Sequence, residues 1–402
     1  MPELETPLPS TPQCIDSDAA ALRAADRLAD DFRREAALRD LERRLPHPEL
    51  KRFVDSGLWS ITVPRRFGGA EVSAATLAEV TARISAADGS LGQIPQNHFY
   101  ALEILRLNGS EEQQRRFFAE ALAGERFGNA LAELGTQHSS TRTVRLTPCE
   151  GGYLISGRKF YATGSLFARW IPTSAIGPDE KVQLAIVDAN APGLERIDDW
   201  SGFGQRTTGS GSVVFDRVFV PNTAVVPMQA AFERPTALGA FAQLIHTAVD
   251  VGIARGALSD TQQFVRSHAR PWIDSGAPSA AKDPLLLREL GELSIDLEAA
   301  EAMLERAARI VDVARREPTE RSVAQASIAV AEAKVLATDI ALAAGSKLFE
   351  LSGSRAALTE LGLDRHWRNA RTHTLHDPVR WKYHAIGDYV LNDRLPPRHG
   401  AL

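Results

Sequence analysis

The chain has 402 residues, 44% of them hydrophobic and 24% charged, and a formal net charge of -5. That length exceeds what one hydrophobic core usually serves, so two or three subdomains are expected, of ordinary globular composition. No Lys/Arg-rich block interleaved with aromatics and no apolar run of bilayer length is present; neither nucleic acid nor a membrane is an expected partner.

Residues 1–16 are rich in Pro and Ser and are expected to form a mobile N-terminal arm, because such a composition buries too little apolar surface to offset ordering entropy. Acidic residues and prolines also stand where a secretory signal would carry a positive start and an apolar run, so a cytoplasmic location is expected. Cys14 and Cys149 have no metal-type spacing and make no disulfide framework. From Ala19 to Leu45 the apolar residues recur at helical spacing, and Leu50, Phe53 and Val54 continue the pattern until Ser56-Gly57 stops it, which predicts two helices. Helices are predicted again over Ser73 to Ala87 and Asn97 to Leu107, with Ser110 as a start signal before Gln113 to Ala123. Together they form an N-terminal helical domain over 17–126.

The pattern changes near Phe127. Val144 to Thr147 and Tyr153 to Ser156 flank Pro148-Cys149-Glu150-Gly151-Gly152, which is hairpin chemistry. Further strands are predicted at Gln183 to Val187, Ser212 to Phe215 and Val218 to Val220, giving a β domain over 127–235. Gly209-Ser210-Gly211-Ser212 leads into a strand rather than a helix, so it reads as a turn. No Gly-x-Gly-x-x-Gly follows a strand and opens a helix, so no nicotinamide site is expected. After Pro235, Leu286, Leu290, Leu293, Leu297, Ala300, Leu304 and Val311 recur at spacings of four and three. That stripe suits a four-helix bundle over 236–402, ending in a C-terminal tail. The fold class is α+β.

The stretch from Arg365 to Lys382 places His373 and His376 three residues apart among five cationic side chains. On a helix the two imidazoles would share a face, in a setting that favours an anionic reactant and keeps the rings neutral. Within it, Arg368-Asn369-Ala370-Arg371 resembles the Arg-Asp-(Ala/Val)-Arg helix of the acyl-CoA dehydrogenase superfamily, in which a loop glutamate then deprotonates the substrate. Here His376-Asp377-Pro378-Val379 follows instead, which resembles the superfamily's reduced-flavin-dependent monooxygenases: the dibenzothiophene and alkanesulfinate monooxygenases and the sulfur acquisition oxidoreductases. Gly57-Leu58-Trp59 through Val63-Pro64-Arg65-Arg66-Phe67-Gly68-Gly69 is similar to the superfamily's N-terminal signature.

That resemblance implies an acyl-CoA dehydrogenase-like fold and an oligomer, a homotetramer. It further implies reduced FMN supplied by a separate NAD(P)H-dependent flavin reductase, O2 as cosubstrate, and a flavin C4a-(hydro)peroxide that oxygenates a small sulfinate, sulfone or thioether in sulfur assimilation. The alternative is an acyl-CoA dehydrogenase that uses FAD, with Asp377 as its base. The resemblance places His376, then His373 and His98, in catalytic roles, with Asp377 orienting an imidazole. Asn129 and the Thr163 of Lys159-Phe160-Tyr161-Ala162-Thr163-Gly164 would meet the flavin. Arg266, reaching across a subunit boundary, and the Ser354-Arg355 turn would hold its phosphate end. Tyr100, Tyr161 and Trp200 would line the substrate pocket. His138 and His246 match no motif and are read as structural, and no metal site is expected.

Overall fold

A computed structural model describes residues 12–136, 138 and 141–402. Seven helices come first: α1 (Asp18–Arg33), α2 (Ala36–Leu41), α3 (His47–Asp55), α4 (Ala74–Ala87), α5 (Gly89–Gln93), α6 (Gln96–Asn108) and α7 (Glu111–Leu122). Several begin where a side chain can accept amide protons that the helix itself leaves free. Ser17, Ser73 and Asp88 cap α1, α4 and α5, and Ser110 with Gln113 forms a capping box at α7. The predicted stretch from Ala19 to Leu45 is thus α1 and α2, separated by a turn, and α3 is distinct. Residues 1–11 of the expected arm lie outside the described residues. Residues 12–16 are not free: Gln13 N–H donates to Asp55 O at 2.9 Å, and Ile15 packs on the core.

Seven strands follow: β1 (Arg145–Cys149), β2 (Gly152–Lys159), β3 (Trp170–Ile176), β4 (Val182–Asp188), β5 (Leu194–Ile197), β6 (Ser212–Pro221) and β7 (Val225–Val226). They form one sheet in the order β5-β6-β2-β1-β3-β4-β7, antiparallel except for the β1–β3 pair. The β1–β2 hairpin closes at Cys149↔Gly152, with Gly151 at φ +75° in the turn. Sequence reasoning missed β3, Trp-Ile-Pro-Thr-Ser-Ala-Ile. It is buried on both faces and so shows no alternation, and its Pro172 argues against a central strand.

Beyond α8 (Ala230–Glu233) come α9 (Leu238–Ser267), α10 (Pro284–Arg316), α11 (Glu320–Ser352), α12 (Arg365–His373) and α13 (Arg380–Asn392). Three of these are long, at 30, 33 and 33 residues; the helix packed with them as a fourth is α4, from the N-terminal part. One core therefore runs through both helical regions, from Ala21 and Phe32 through Leu77 and Ile84 to Leu244, Leu304 and Ile340. A second joins α6 and α7 to the sheet. The α4–α9 contact is close because Gly252 and Gly256 present no side chain. A Cβ there would lie 2.4 and 2.5 Å from Ala82 O and Ala86 O. Among the described residues no helix is long and apolar enough to cross a membrane.

Candidate active site

α12 lies antiparallel along α9, and side-chain pairs mark the register. His373 meets Asp250, His366 and Arg365 meet Asp260, and farther on Arg355 Nη1 donates to His268 O at 3.2 Å. On its other side α12 carries the loop that leads into β6. Gln205 N–H donates to Asn369 Oδ1 at 2.7 Å, Arg368 Nη1 donates to Phe203 O at 3.0 Å, and Trp367 stacks on Phe203. One short helix thus joins the sheet to the long helices, and the candidate site lies along it.

At its C-terminal end a buried chain of ionisable groups begins. Lys334 of α11 and Asp250 of α9 pair at 2.5 Å with neither exposed. His373 Nδ1 is 2.5 Å from the other oxygen of Asp250, and His373 Nε2 is 3.1 Å from His246 Nδ1. The His246 ring in turn stacks on His376, with centroids 3.8 Å apart and planes at 33°. His376 Nδ1 donates to Asp377 Oδ1 at 3.0 Å, and Lys382 Nζ of α13 lies 3.1 Å from Asp377 Oδ2. Burial holds His373 below the usual imidazole range even though Asp250 pulls the other way. For His246, burial and then the neighbouring His376, His373 and Lys334 act in one direction, well downward.

The expectation for the histidine pair needs two corrections. α12 ends at His373, so His376 sits in the following turn and not on the helix, half-exposed in the single chain. The arginines do not charge the rings: Arg365 is spent on Asp260, and Arg368 on Asp40 and Asp364. Of the cations that do face the cluster, Lys382 of α13 belongs to the stretch read from sequence, whereas Lys334 comes from α11 and no local reading could find it. Asp377 is held far below the usual carboxylate range: burial would raise it, but His376, Lys334 and Lys382 together outweigh burial. A carboxylate so stabilised is a poor base, which removes the chemical ground for a dehydrogenase in which Asp377 replaces the glutamate.

His98 needs a correction of another kind. It is fully buried, its Nε2–H donates to Trp59 O at 2.7 Å and its Nδ1 accepts from Phe127 N–H at 3.2 Å. Burial pushes it down to about 3. Neither nitrogen is left for a reactant, so the ring ties the N-terminal helices to the entry of the sheet. Tyr100, two residues on, is buried near the C-terminal tail, 3.7 Å from where a Cβ at Gly400 would stand.

On the sheet side, Thr163 Oγ1, Ser210 Oγ and Thr208 Oγ1 form a hydroxyl chain at 2.7 and 2.6 Å. Phe160, Tyr161 and Trp200 form an aromatic trio with centroids 4.8–6.4 Å apart. Beside Phe160 lies a cavity of about 360 Å³ lined by Leu134, Arg158, Lys159, Phe160 and Asp199. Asn129 does not have a free side chain, since its Oδ1 accepts Leu131 N–H and its amide donates to Tyr161 O, both at 3.0 Å. The second bond steadies Tyr161, whose backbone is held at φ +55°. His138 lies on an exposed bend, apart from these groups.

Gln205 was missed altogether. Its backbone is left-handed at φ +52° and is bonded to Asn369, Trp200 and Thr208, yet neither polar atom of its buried side chain has a partner. Thr372 Oγ1 is likewise unpaired and buried, next to Gly204. A buried amide costs free energy unless its donor and acceptor are met, so a strained residue presenting one signals a missing ligand. The pyrimidine edge of a flavin, which offers both an N–H and carbonyl oxygens, has that complementarity. At the far end of α9, Arg266, Arg270, Ser354 and Arg355 are exposed. Arg266 has no hydrogen bond or ion pair among the described residues, so a phosphate would find free guanidinium there. Twenty residues of helix separate His246 from Arg266, about 30 Å.

Models of the acyl-CoA dehydrogenase N-terminal and C-terminal domains match residues 17–125 and 244–381. A dibenzothiophene monooxygenase from Mycolicibacterium goodii is 36% identical over 359 residues, 85% of this chain and 86% of that one. The chain belongs to the acyl-CoA dehydrogenase family, in its monooxygenase branch. Among solved members of the family, FMN-bound TdsC from Paenibacillus sp. A11-2 superimposes with a TM-score of 0.91 at 33% identity, covering 95% of this chain and 100% of that one. The methanesulfinate monooxygenase MsuC from Pseudomonas fluorescens gives 0.89 at 31% identity, with 95% and 99% covered.

Proposed function

We propose that this chain is a cytoplasmic two-component monooxygenase that uses reduced FMN from a separate NAD(P)H-dependent reductase to place one atom of O2 on a small organosulfur compound. One observation carries the reading: where the family's dehydrogenases need a free carboxylate, this chain holds Asp377 in a buried ion pair and offers imidazoles. Relatives named for dibenzothiophene and methanesulfinate supply the substrate class.

Bound reduced FMN supplies the electrons that activate dioxygen. The chain's own residues do the rest. Gln205 and Thr372 would hold the polar edge of the flavin, with the Thr163 hydroxyl chain on the sheet side. Phe160, Tyr161 and Trp200 wall the substrate and exclude water, which protects a reactive oxygen species from wasteful decay. His376 gives its Nδ1 proton to the bond with Asp377, which leaves Nε2 to take or return a proton at the reacting group. Arg266, Arg355 and Ser354 would hold the phosphate end of a neighbouring subunit's flavin, a homo-oligomeric arrangement, a tetramer, that rests on the family resemblance.

The test is direct. Incubate the protein with FMN, a flavin reductase, NADH and 18O2, offer dimethyl sulfone, methanesulfinate and dibenzothiophene, and follow label by mass spectrometry. Butyryl-CoA with an artificial electron acceptor runs in parallel. Label in a sulfur product supports the reading; oxidation of the acyl-CoA without reductase overturns it.

A further inference from the structure

His246 looked structural in the sequence, yet it stands between His373 and His376. Proton positions along the chain follow from what each neighbour can accept. Lys334 keeps Asp250 anionic, so Asp250 can only accept, and the proton in its contact with His373 sits on Nδ1. A neutral His373 then has only a lone pair at Nε2, and the group facing it at 3.1 Å must be a His246 Nδ1–H. His246 is left with an unprotonated Nε2 that has no hydrogen-bond partner among the described residues.

Two imidazolium rings at 3.8 Å would repel, so the stacked pair holds one extra proton at most. The charged and titratable groups facing it are Asp250 of α9, Lys334 of α11, His373 of α12, Asp377 of the turn, Lys382 of α13 and His399 of the tail. Of the two carboxylates, Asp377 bonds His376 directly, whereas both oxygens of Asp250 are taken by Lys334 and His373.

We propose that His246 is a positioning residue of this site. Locked by Lys334, Asp250 and His373 as the neutral Nδ1–H tautomer, it forms a flat platform that leaves His376 as the only proton carrier of the pair. The tautomer is a property of the chain itself, while the effect on turnover rests on the oxygenase reading.

The experiment uses full-length, FMN-loaded protein labelled with 15N-histidine. His246 is expected to give the 15N shifts of a neutral Nδ1–H ring throughout pH 5–8.5; in Asp250→Asn the His246 shifts should move to a tautomer mixture. His246→Phe keeps a flat ring but cannot donate. It should lower product formed per O2 about tenfold and shift the pH profile of product formation by at least half a unit. A charged or Nε2–H ring for His246 at pH 7 in the wild type overturns the proposal, as does an unchanged pH profile in His246→Phe. Failure to oxygenate any organosulfur compound would sink the oxygenase reading alone, since the wild-type spectra still decide the tautomer.

Discussion

His98 and His246 are equally buried imidazoles, each on a helix and each in contact with another ring, yet they end in different kinds of place. The nitrogens of His98 both bond to backbone groups, which cannot change their protonation. His246 bonds through one nitrogen to a chain of titratable side chains, keeps the other free, and stacks on a half-exposed ring. Burial alone therefore does not separate a structural histidine from a working one. What separates them is whether the partners can respond to a proton.

The strongest way to break this contrast is to disturb the chain behind His246. Lys334→Met leaves Asp250 as a buried carboxylate without its main counter-charge, and such losses cost about 3–5 kcal/mol. Urea unfolding should show it; an unchanged midpoint would mean that water or a backbone shift reaches the pair. Next in size, His376→Ala should lower product formation about 100-fold while FMN affinity holds, the range expected for a lost proton-transfer group. Equal turnover would move His376 to the structural side.

His98 offers a smaller and purely thermodynamic effect. Its folded value of about 3 lies below the unfolded value near 6.5, so below pH 6.5 the unfolded chain binds the extra proton. The stability it contributes is complete above that pH and drains away as pH falls toward 3, at about 1.4 kcal/mol per unit. His98→Asn should flatten the pH dependence of the urea midpoint between about pH 6 and 5 by roughly that share. His246 and His373 act with the same sign and will leave a residual slope. Smallest of all, Arg355→Ala should raise the FMN dissociation constant about tenfold, the equivalent of one charge-assisted hydrogen bond. Folding stability should stay within about 0.5 kcal/mol because the side chain is exposed. Titrations at two salt concentrations would separate this from a change at the flavin ring.

Sequence by itself determined the order of helices, sheet and helices, because periods of 3.6 and 2 and capping residues such as Ser110 act over a few neighbours. It also pointed to His376 and Thr163 through short local motifs. Only the tertiary structure brought Lys334, Asp250 and His246 to His373, placed Lys382 on Asp377 and left the amide of Gln205 without a partner. It likewise showed that His98 and Asn129 are already committed to bonds within the chain. The reason is physical: charge and hydrogen bonding act through space over a few ångströms, between groups as far apart in the chain as His246 and His373, 127 residues, or Asp40 and Arg368, 328 residues. No local pattern records which of them will meet.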